Sequence, residues 1–140
     1  GIYEYMMNLY EHHFNNSKDL KIFEKIKKIN ILFSKYEEEI ANPILNYLSK
    51  RDDLNLIGKN KITKKNRAPT ISFTSKHKSS KEISAALVKN NIATRNDNFY
   101  AWRCLKALGI DTEDGVVRLS LAHYNTNEES KKVIKILDQV

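Results

Sequence analysis

The sequence has little of what would stabilise a secreted or membrane protein. Its 140 residues include a single cysteine, Cys104, so no disulfide can form within the chain, and a reducing compartment is expected. No apolar run approaches the ~20 residues that a membrane-spanning helix needs. The first residues also lack the basic and apolar regions of a secretory signal. These absences predict a cytoplasmic protein that does not bind a membrane.

The start of the chain lacks an initiator methionine and a residue that would cap its first helix. Apolar side chains at Ile2, Tyr5, Met6 and Leu9 are spaced i, i+3, i+4 and i+7, which predicts a helix with one apolar stripe. Because this helix has no cap before it, we expect the sequence to be part of a longer protein.

Positive charge is in excess, with a formal net charge of +7. The densest basic run is residues 59–67, in which five of nine residues are Lys or Arg. Its position between two apolar segments predicts a solvated loop. The alternative is a basic module that binds nucleic acid or an acidic protein, and the affinity of such a module for DNA or RNA would fall steeply with salt.

The region after the first helix is polar and is predicted to be a loop that starts at His12 and His13. Adjacent histidines point in different directions on a helix, and this pair has no companion ligands, so no metal site is predicted. Ser17 is the predicted cap of a second helix, with Asp19 in its first turn.

The second helix carries apolar residues at alternating spacings of four and three: Ile22, Ile26, Ile29, Phe33, Tyr36 and Ile40. This heptad pattern is compatible with a coiled coil, and a helical interaction domain with a dimer seam here is one alternative. The stripe reaches Asn42 and Pro43 before three heptads are complete, which favours a core-facing helix. Pro43 is expected either to kink the helix or to begin a new one capped by Asn42.

The second half predicts a small sheet with helices. Strands are predicted at residues 54–57, 69–74, 92–95 and 116–121, and a polar turn at 96–98 leads to an apolar helix at 99–108. Capping boxes at Ser79–Glu82 and Thr126–Glu129 predict two further helices. The order favours an α+β fold in which helices cover one face of a mostly antiparallel sheet. On the last strand, Arg118 alternates away from the apolar face.

Three stretches of this half resemble one known family. They are residues 67–74 (RAPTISFT), residues 92–95 (IATR) with the polar turn and helix that follow, and residues 117–129 (VRLSLAHYNTNEE). Together they resemble the small domain of class V aminotransferases and cysteine desulfurases, with the last stretch closest to the selenocysteine lyase-like branch. The resemblance is good over residues 60–140 and looser before them.

The resemblance implies a two-domain enzyme of fold type I, usually a homodimer. Its cofactor, pyridoxal 5'-phosphate, is bound to a lysine of the large domain, and no lysine here stands in that family context. Residues 1–50 would then be a helical segment leading from a large domain, and residues 51–140 the α+β C-terminal domain. This part alone is expected to bind no cofactor and to be inactive, with the large domain and an amino-acid substrate as its partners.

Two arginines carry over from the family by position. Arg118 matches the arginine that binds the α-carboxylate of the substrate, and Arg95 matches a second arginine near the substrate. Tyr100 occupies the position of the desulfurase cysteine, and a phenol cannot accept a sulfane sulfur, so desulfuration by the usual route is in question. Cys104 is predicted to be a small core residue of the apolar helix, where burial would raise the pKa of its thiol.

Overall fold

The computed structural model describes residues 1–14, 20–63 and 66–140. In these residues the helices are Ile2–Phe14 (α1), Ile22–Ser49 (α2), Ser80–Lys89 (α3), Trp102–Ala107 (α4) and Asn127–Leu137 (α5). The strands are Leu54–Ile57 (β1), Thr70–Ser75 (β2), Arg95–Asp97 (β3) and Val116–Ser120 (β4). This is the α+β class that the sequence predicted.

Helix α1 confirms the first predicted helix but extends further than expected. His12 and His13 lie in its last turn, so the prediction that the loop begins there is wrong. Its buried residue is Tyr10, whereas Ile2 and Tyr5 of the predicted stripe are exposed. The described residues contain no group of three or more His, Cys, Asp or Glu side chains that could hold a metal ion.

Helix α2 runs without interruption through Pro43, so no new helix begins at that residue. The predicted cap at Ser17 lies outside the described residues, and α2 begins after Lys21, whose backbone N–H donates to the Glu24 carboxylate at 2.9 Å. Asn42, the predicted cap of a new helix, instead pairs with the backbone of Ile62. It accepts from the Ile62 N–H at 2.9 Å and donates to its carbonyl at 3.2 Å.

The C-terminal half of α2 is the part that faces the core, as the core-facing interpretation of the stripe predicted. Its buried residues there are Ile40, Ala41, Ile44, Leu45 and Leu48. Of the predicted stripe, Ile29 and Ile40 are fully buried, whereas Ile22 is 52% exposed. No helix among the described residues is long and apolar enough to cross a membrane.

The four strands form one antiparallel sheet in the order β1-β2-β4-β3. β1, β2 and β4 lie within one residue of their predicted bounds. β3 is displaced from the predicted strand at 92–95, and the residues predicted as a turn, Asn96 and Asp97, are part of it. The reason is the end of α3: Asn91 has φ of 58°, and the Ile92 N–H donates to the Leu87 carbonyl at 3.0 Å. The chain therefore reaches the sheet only at Arg95.

One face of the sheet is covered by α2, α3 and α5. The strands contribute Ile71, Phe73, Val117 and Leu119 to this core, all of them buried. Ile71 pairs with Leu119 and Phe73 with Val117, so the apolar residues lie side by side. Full burial of such a side chain contributes about 1.5–3 kcal/mol to folding.

Both predicted capping boxes are present. The Ser79 hydroxyl accepts from the Glu82 N–H at 3.2 Å, and the Glu82 carboxylate accepts from the Ser79 N–H at 2.8 Å. Thr126 and Glu129 repeat this arrangement at 3.2 and 2.8 Å. In both boxes the hydrogen bond from the backbone N–H lowers the pKa of the glutamate below its usual value.

The start of β1 is held by a polar cluster around Arg51. Its guanidinium donates two hydrogen bonds of 2.6 Å to Asp53 and one of 2.6 Å to the Tyr47 hydroxyl. Tyr47 in turn donates to Asp138 at 2.8 Å, which connects α2 to the end of α5. Burial, followed by the bond to Asp138, raises the pKa of Tyr47 to about 12.

Candidate functional site

The sheet face opposite the helices, called the open face below, carries polar side chains in one row. Ser72 of β2 pairs with Arg118 of β4, and Arg118 pairs with Arg95 of β3. Residues directly opposite each other in an antiparallel sheet point to the same face, so the three side chains share this side. The prediction that Arg118 turns away from the core is confirmed. Arg118 is half-buried and Arg95 is exposed.

The two arginines are like charges placed directly across from each other. Such pairs are destabilising in a sheet unless an anion compensates them. The ion pairs of the described residues involve Gly1 with Glu4, and Arg51 with Asp53 and Asp138; none includes Arg95 or Arg118. The open face therefore presents two cations without a carboxylate partner from the described part of the chain.

Arg118 is held from two sides. The Thr94 hydroxyl donates to the Arg118 carbonyl at 2.9 Å and so fixes its backbone. The guanidinium carbon lies 3.8 Å from the centre of the Phe99 ring. Stacking covers one face of the guanidinium and leaves the N–H groups at its edge free to donate in the plane.

The segment after β3 departs from the prediction of a helix at 99–108, because α4 begins only at Trp102. Phe99 and Tyr100 have φ of 52° and 60°, in the left-handed region that is unfavourable for residues with a side chain. Asn98 maintains this turn: its side-chain oxygen accepts from the Tyr100 N–H at 3.0 Å, and its amide donates to the Thr112 carbonyl at 3.4 Å.

The turn leaves Tyr100 almost entirely free, with 98% of its surface exposed. Cys104 is also exposed, so the prediction that it is a buried core residue is wrong. The reason is that α4 is short and buries only Leu105, while Leu108 is 55% exposed. Tyr100 and Cys104 therefore both lie on the surface of the segment that follows Arg95.

Gly115 brings β3 and β4 together at the edge of this site. Its φ is +69°, and a Cβ there would lie 2.3 Å from the carbonyl carbon of Asp97. Only glycine allows so close an approach between the two backbones. The position of Arg95 opposite Arg118 therefore depends on a residue that carries no side chain.

Sequence reasoning missed the role of His123. Its Nε2 is 2.6 Å from the Tyr5 hydroxyl of α1, and its ring stacks on Phe33 of α2 with 3.7 Å between ring centres. Glu37 is near enough for His123 to lower its pKa, although burial is the larger effect and raises it. His123 thus connects both N-terminal helices to the loop after β4. The exposed Tyr5 and half-buried Phe33 were visible in the sequence only as members of apolar stripes.

The described residues do not suit pyridoxal phosphate, which the family resemblance assigns to a large domain. Pyridoxal phosphate requires a lysine in an enclosed site. Every described lysine is exposed except Lys25, which is half-buried with its ammonium 5.2 Å from the centre of the Tyr10 ring. The open face supplies guanidinium groups but no such lysine.

The fold and the paired arginines define a small α+β domain with two opposed cations on one face of its sheet. A model of the aminotransferase class-V family matches residues 17–133, and the chain belongs to this family. The aminotransferase-like protein FGM3 of Gibberella zeae is 31% identical over 108 residues, which make up 76% of this chain and 27% of that protein. The chain thus spans about a quarter of the length of this curated relative.

Solved structures show the same fold. The cysteine desulfurase CsdA of Escherichia coli matches with a TM-score of 0.63 and 20% identity, over 76% of this chain and 24% of that one. A cysteine desulfurase of Thermococcus onnurineus matches with a TM-score of 0.65 and 19% identity, over 84% and 29% of the two chains. A NifS-like protein of Rickettsia africae matches with a TM-score of 0.65 and 18% identity, over 82% of this chain and 30% of that one. The expected family and fold are confirmed.

Proposed function

We propose that this chain is the substrate-facing C-terminal domain of a pyridoxal-phosphate enzyme that acts on an amino acid. The observation that carries the proposal is the pair of arginines, Arg118 and Arg95, directly opposite each other without a carboxylate partner from the described residues. Membership of the class-V family supports the cofactor, which we assign to a large domain outside these residues. Residues 1–50 then lead from that domain, residues 51–140 form the small domain, and the whole enzyme is a homodimer.

In this proposal Arg118 binds the α-carboxylate of the substrate. Its planar fork can donate two parallel hydrogen bonds to one carboxylate, which fixes both the position and the plane of that group. The orientation of the amino acid about its Cα then follows from the clamp. Withdrawal of electrons from Cα is the chemistry that pyridoxal phosphate supplies when it is bound. Arg95, on the neighbouring strand, adds a second positive charge to the same face.

The identity of residue 100 bears on the reaction. Tyr100 stands where the resemblance places the cysteine of desulfurases, and a phenol oxygen cannot take up a sulfane sulfur. We therefore propose a reaction on the amino acid, either a lyase reaction or a transamination, in which no persulfide forms at position 100. The exposure of Tyr100 leaves it available to contact a substrate or the large domain.

The basic-module alternative gains little from the structure. Arg67, at the end of the basic run, folds back and donates to the carbonyls of Ile57, Lys59 and Thr70. Burial lowers the pKa of this guanidinium below its usual value. Lys64 and Lys65 lie outside the described residues. The alternative therefore rests on the net charge of +7 and on the exposed side chains of Lys59 and Lys61.

The test is Arg118→Ala in the protein that contains both domains, with L-cysteine and L-alanine as substrates. We expect kcat/KM to fall by an amount that corresponds to about 2–4 kcal/mol of lost transition-state binding. Arg118→Lys keeps the charge but not the fork, and it should recover only part of the loss. Arg103→Ala, at an exposed arginine of α4, is the matched control and should have no effect. Unchanged kcat/KM in Arg118→Ala would remove this residue from the site.

The 140-residue chain by itself gives a second test. When it is mixed with pyridoxal phosphate and desalted, we expect no covalently attached cofactor in its visible absorption or its mass, and no turnover of either amino acid. Attachment of the cofactor to a lysine of this chain would contradict the assignment of the cofactor to a large domain.

A further inference from the structure

Arg118 is held in a way that a simple surface arginine is not. Its guanidinium carbon lies over the Phe99 ring, 3.8 Å from the ring centre, a separation short enough for the two planar groups to stack. The Phe99 backbone has a φ of 52° and the next residue, Tyr100, has 60°. Two successive left-handed residues other than glycine are costly, and they persist only when the surrounding structure imposes them.

The structure that imposes this turn is built around Asn98. The Asp97 carboxylate accepts from the Asn98 N–H at 2.6 Å, and the Asn98 carbonyl accepts from the Ala101 N–H at 2.9 Å. With the two bonds of the Asn98 side chain to Tyr100 and Thr112, the turn is fixed on both sides. Its result is that the Phe99 ring is directed at Arg118.

The Phe99 ring also counteracts the repulsion between the two arginines. Arg95 is directly opposite Arg118, and mutual repulsion would drive the flexible Arg118 side chain away from the row. An aromatic face attracts a guanidinium and fixes its plane, while the N–H groups at the edge of that plane remain available. A bidentate hydrogen bond to a carboxylate uses only that edge.

We propose that Phe99 is a positioning residue for Arg118, which it holds in the plane required for bidentate binding of the substrate carboxylate. This inference rests on the proposed function, because it presumes that Arg118 binds a carboxylate. It adds a residue that acts through Arg118 and does not itself need to touch the substrate.

The experiment uses this chain and the NMR signal of the Arg118 Nε–H, which is identified by its loss in Arg118→Lys. In the unmodified chain the ring current of Phe99 should shift this signal upfield. Phe99→Leu should abolish the shift and Phe99→Trp should restore it. Phe23→Leu, at a phenylalanine that is 75% exposed, is the matched control and should leave the signal unchanged.

Titration with formate, a minimal carboxylate, then measures the consequence of the stack. We expect the half-saturating concentration at Arg118 to rise about threefold in Phe99→Leu and to return in Phe99→Trp, as a cation–π contact of ordinary strength would give. An unchanged Nε–H shift in Phe99→Leu, or a lost shift with unchanged formate binding, would overturn the positioning role and leave the proposed function standing. If formate does not move the Arg118 signal in any variant, the carboxylate site itself fails, and the inference fails with it.

Discussion

The helix-covered face and the open face of the sheet use the same strands in opposite ways. On the covered face Ile71, Phe73 and Val117 are completely buried, and each pairs with an apolar neighbour. On the open face Arg118 has a serine on one side and a second arginine on the other. The first arrangement lowers the free energy of the folded chain, whereas the second raises it.

This difference separates residues that stabilise the fold from residues for which we propose a binding role. An apolar core tolerates exchanges that preserve volume, because only shape and apolar area matter there. The repulsion between two opposed cations is unfavourable for folding, and the contact of Arg118 with Phe99 offsets it only for one of them. The free energies of unfolding of single variants test this contrast.

The largest effect is expected on the covered face. Phe73→Ala should lower the free energy of unfolding by about 3–5 kcal/mol, because it leaves a cavity between the sheet and the helices. The measurement is unfolding in urea. Thr74→Ala, at the next residue on the opposite face, is the matched control and should change the stability by far less. Comparable losses in the two variants would mean that the faces do not differ as described.

The next effect concerns the approach of β3 to β4. Gly115→Ala should cost about 2 kcal/mol or more, because it combines a left-handed backbone with a Cβ that meets the Asp97 backbone. Gly109→Ala is the control, since Gly109 also has φ of +69° but has no atom within 4 Å of its Cβ position. Gly109→Ala should therefore show only the backbone cost, roughly 1 kcal/mol. If urea unfolding shows equal losses of stability in the two variants, the close contact at Gly115 is contradicted.

A third effect appears on acidification and belongs to neither face. Hydrogen bonds from Arg51 lower the pKa of Asp53 to about 2. Because this pKa is lower in the folded chain than in the unfolded chain, the contribution to stability is present above pH ~4 and is lost as the pH falls towards 2. Glu82 and Glu129 act in the same direction.

Urea unfolding between pH 7 and pH 3 checks this dependence. The free energy of unfolding should decrease as the pH is lowered, and the decrease should be less steep in Asp53→Asn. Asp52→Asn, at the exposed neighbouring aspartate, should leave the slope as it is. A slope that Asp53→Asn does not alter would exclude the ion pair with Arg51 as its source.

The smallest expected change is a gain in stability. Arg95→Thr removes one of two opposed cations and introduces a good strand former, so the free energy of unfolding should rise by roughly 0.2–0.5 kcal/mol. The gain should shrink at high salt, where the repulsion is screened. Arg103→Ala on α4 should show no such salt-dependent gain. A loss of stability in Arg95→Thr would show that Arg95 contributes to the fold.

Much of the fold could be predicted because its signals are local. The two capping boxes identify their helices from two residues each, and alternation along β4 identifies its two faces. The segment around β3 could not be predicted in this way. Its bounds depend on Asn91, Phe99 and Tyr100 in left-handed conformations, which the sequence reveals only as a polar run. The exposure of Cys104 follows from the same displacement, because it shortens α4.

In the candidate site, too, local features could be predicted and contacts between distant residues could not. That Arg118 points away from the core follows from its alternation with Val117 and Leu119. Its contact with Phe99 does not, because that contact depends on the turn at Asn98. The role of His123 was hidden for a further reason: it joins residues more than 100 positions apart, and no local pattern records such a contact.

Ser130 of α5 has a buried hydroxyl that donates to the Ile40 carbonyl of α2 at 2.8 Å. A buried hydroxyl without a partner is unfavourable, so α5 cannot rotate or slide along α2 without losing this bond. This hydrogen bond therefore fixes the position of α5 along α2. Since α5 follows β4 after a short loop, the same hydrogen bond also restrains how far Arg118 can shift along the strand axis.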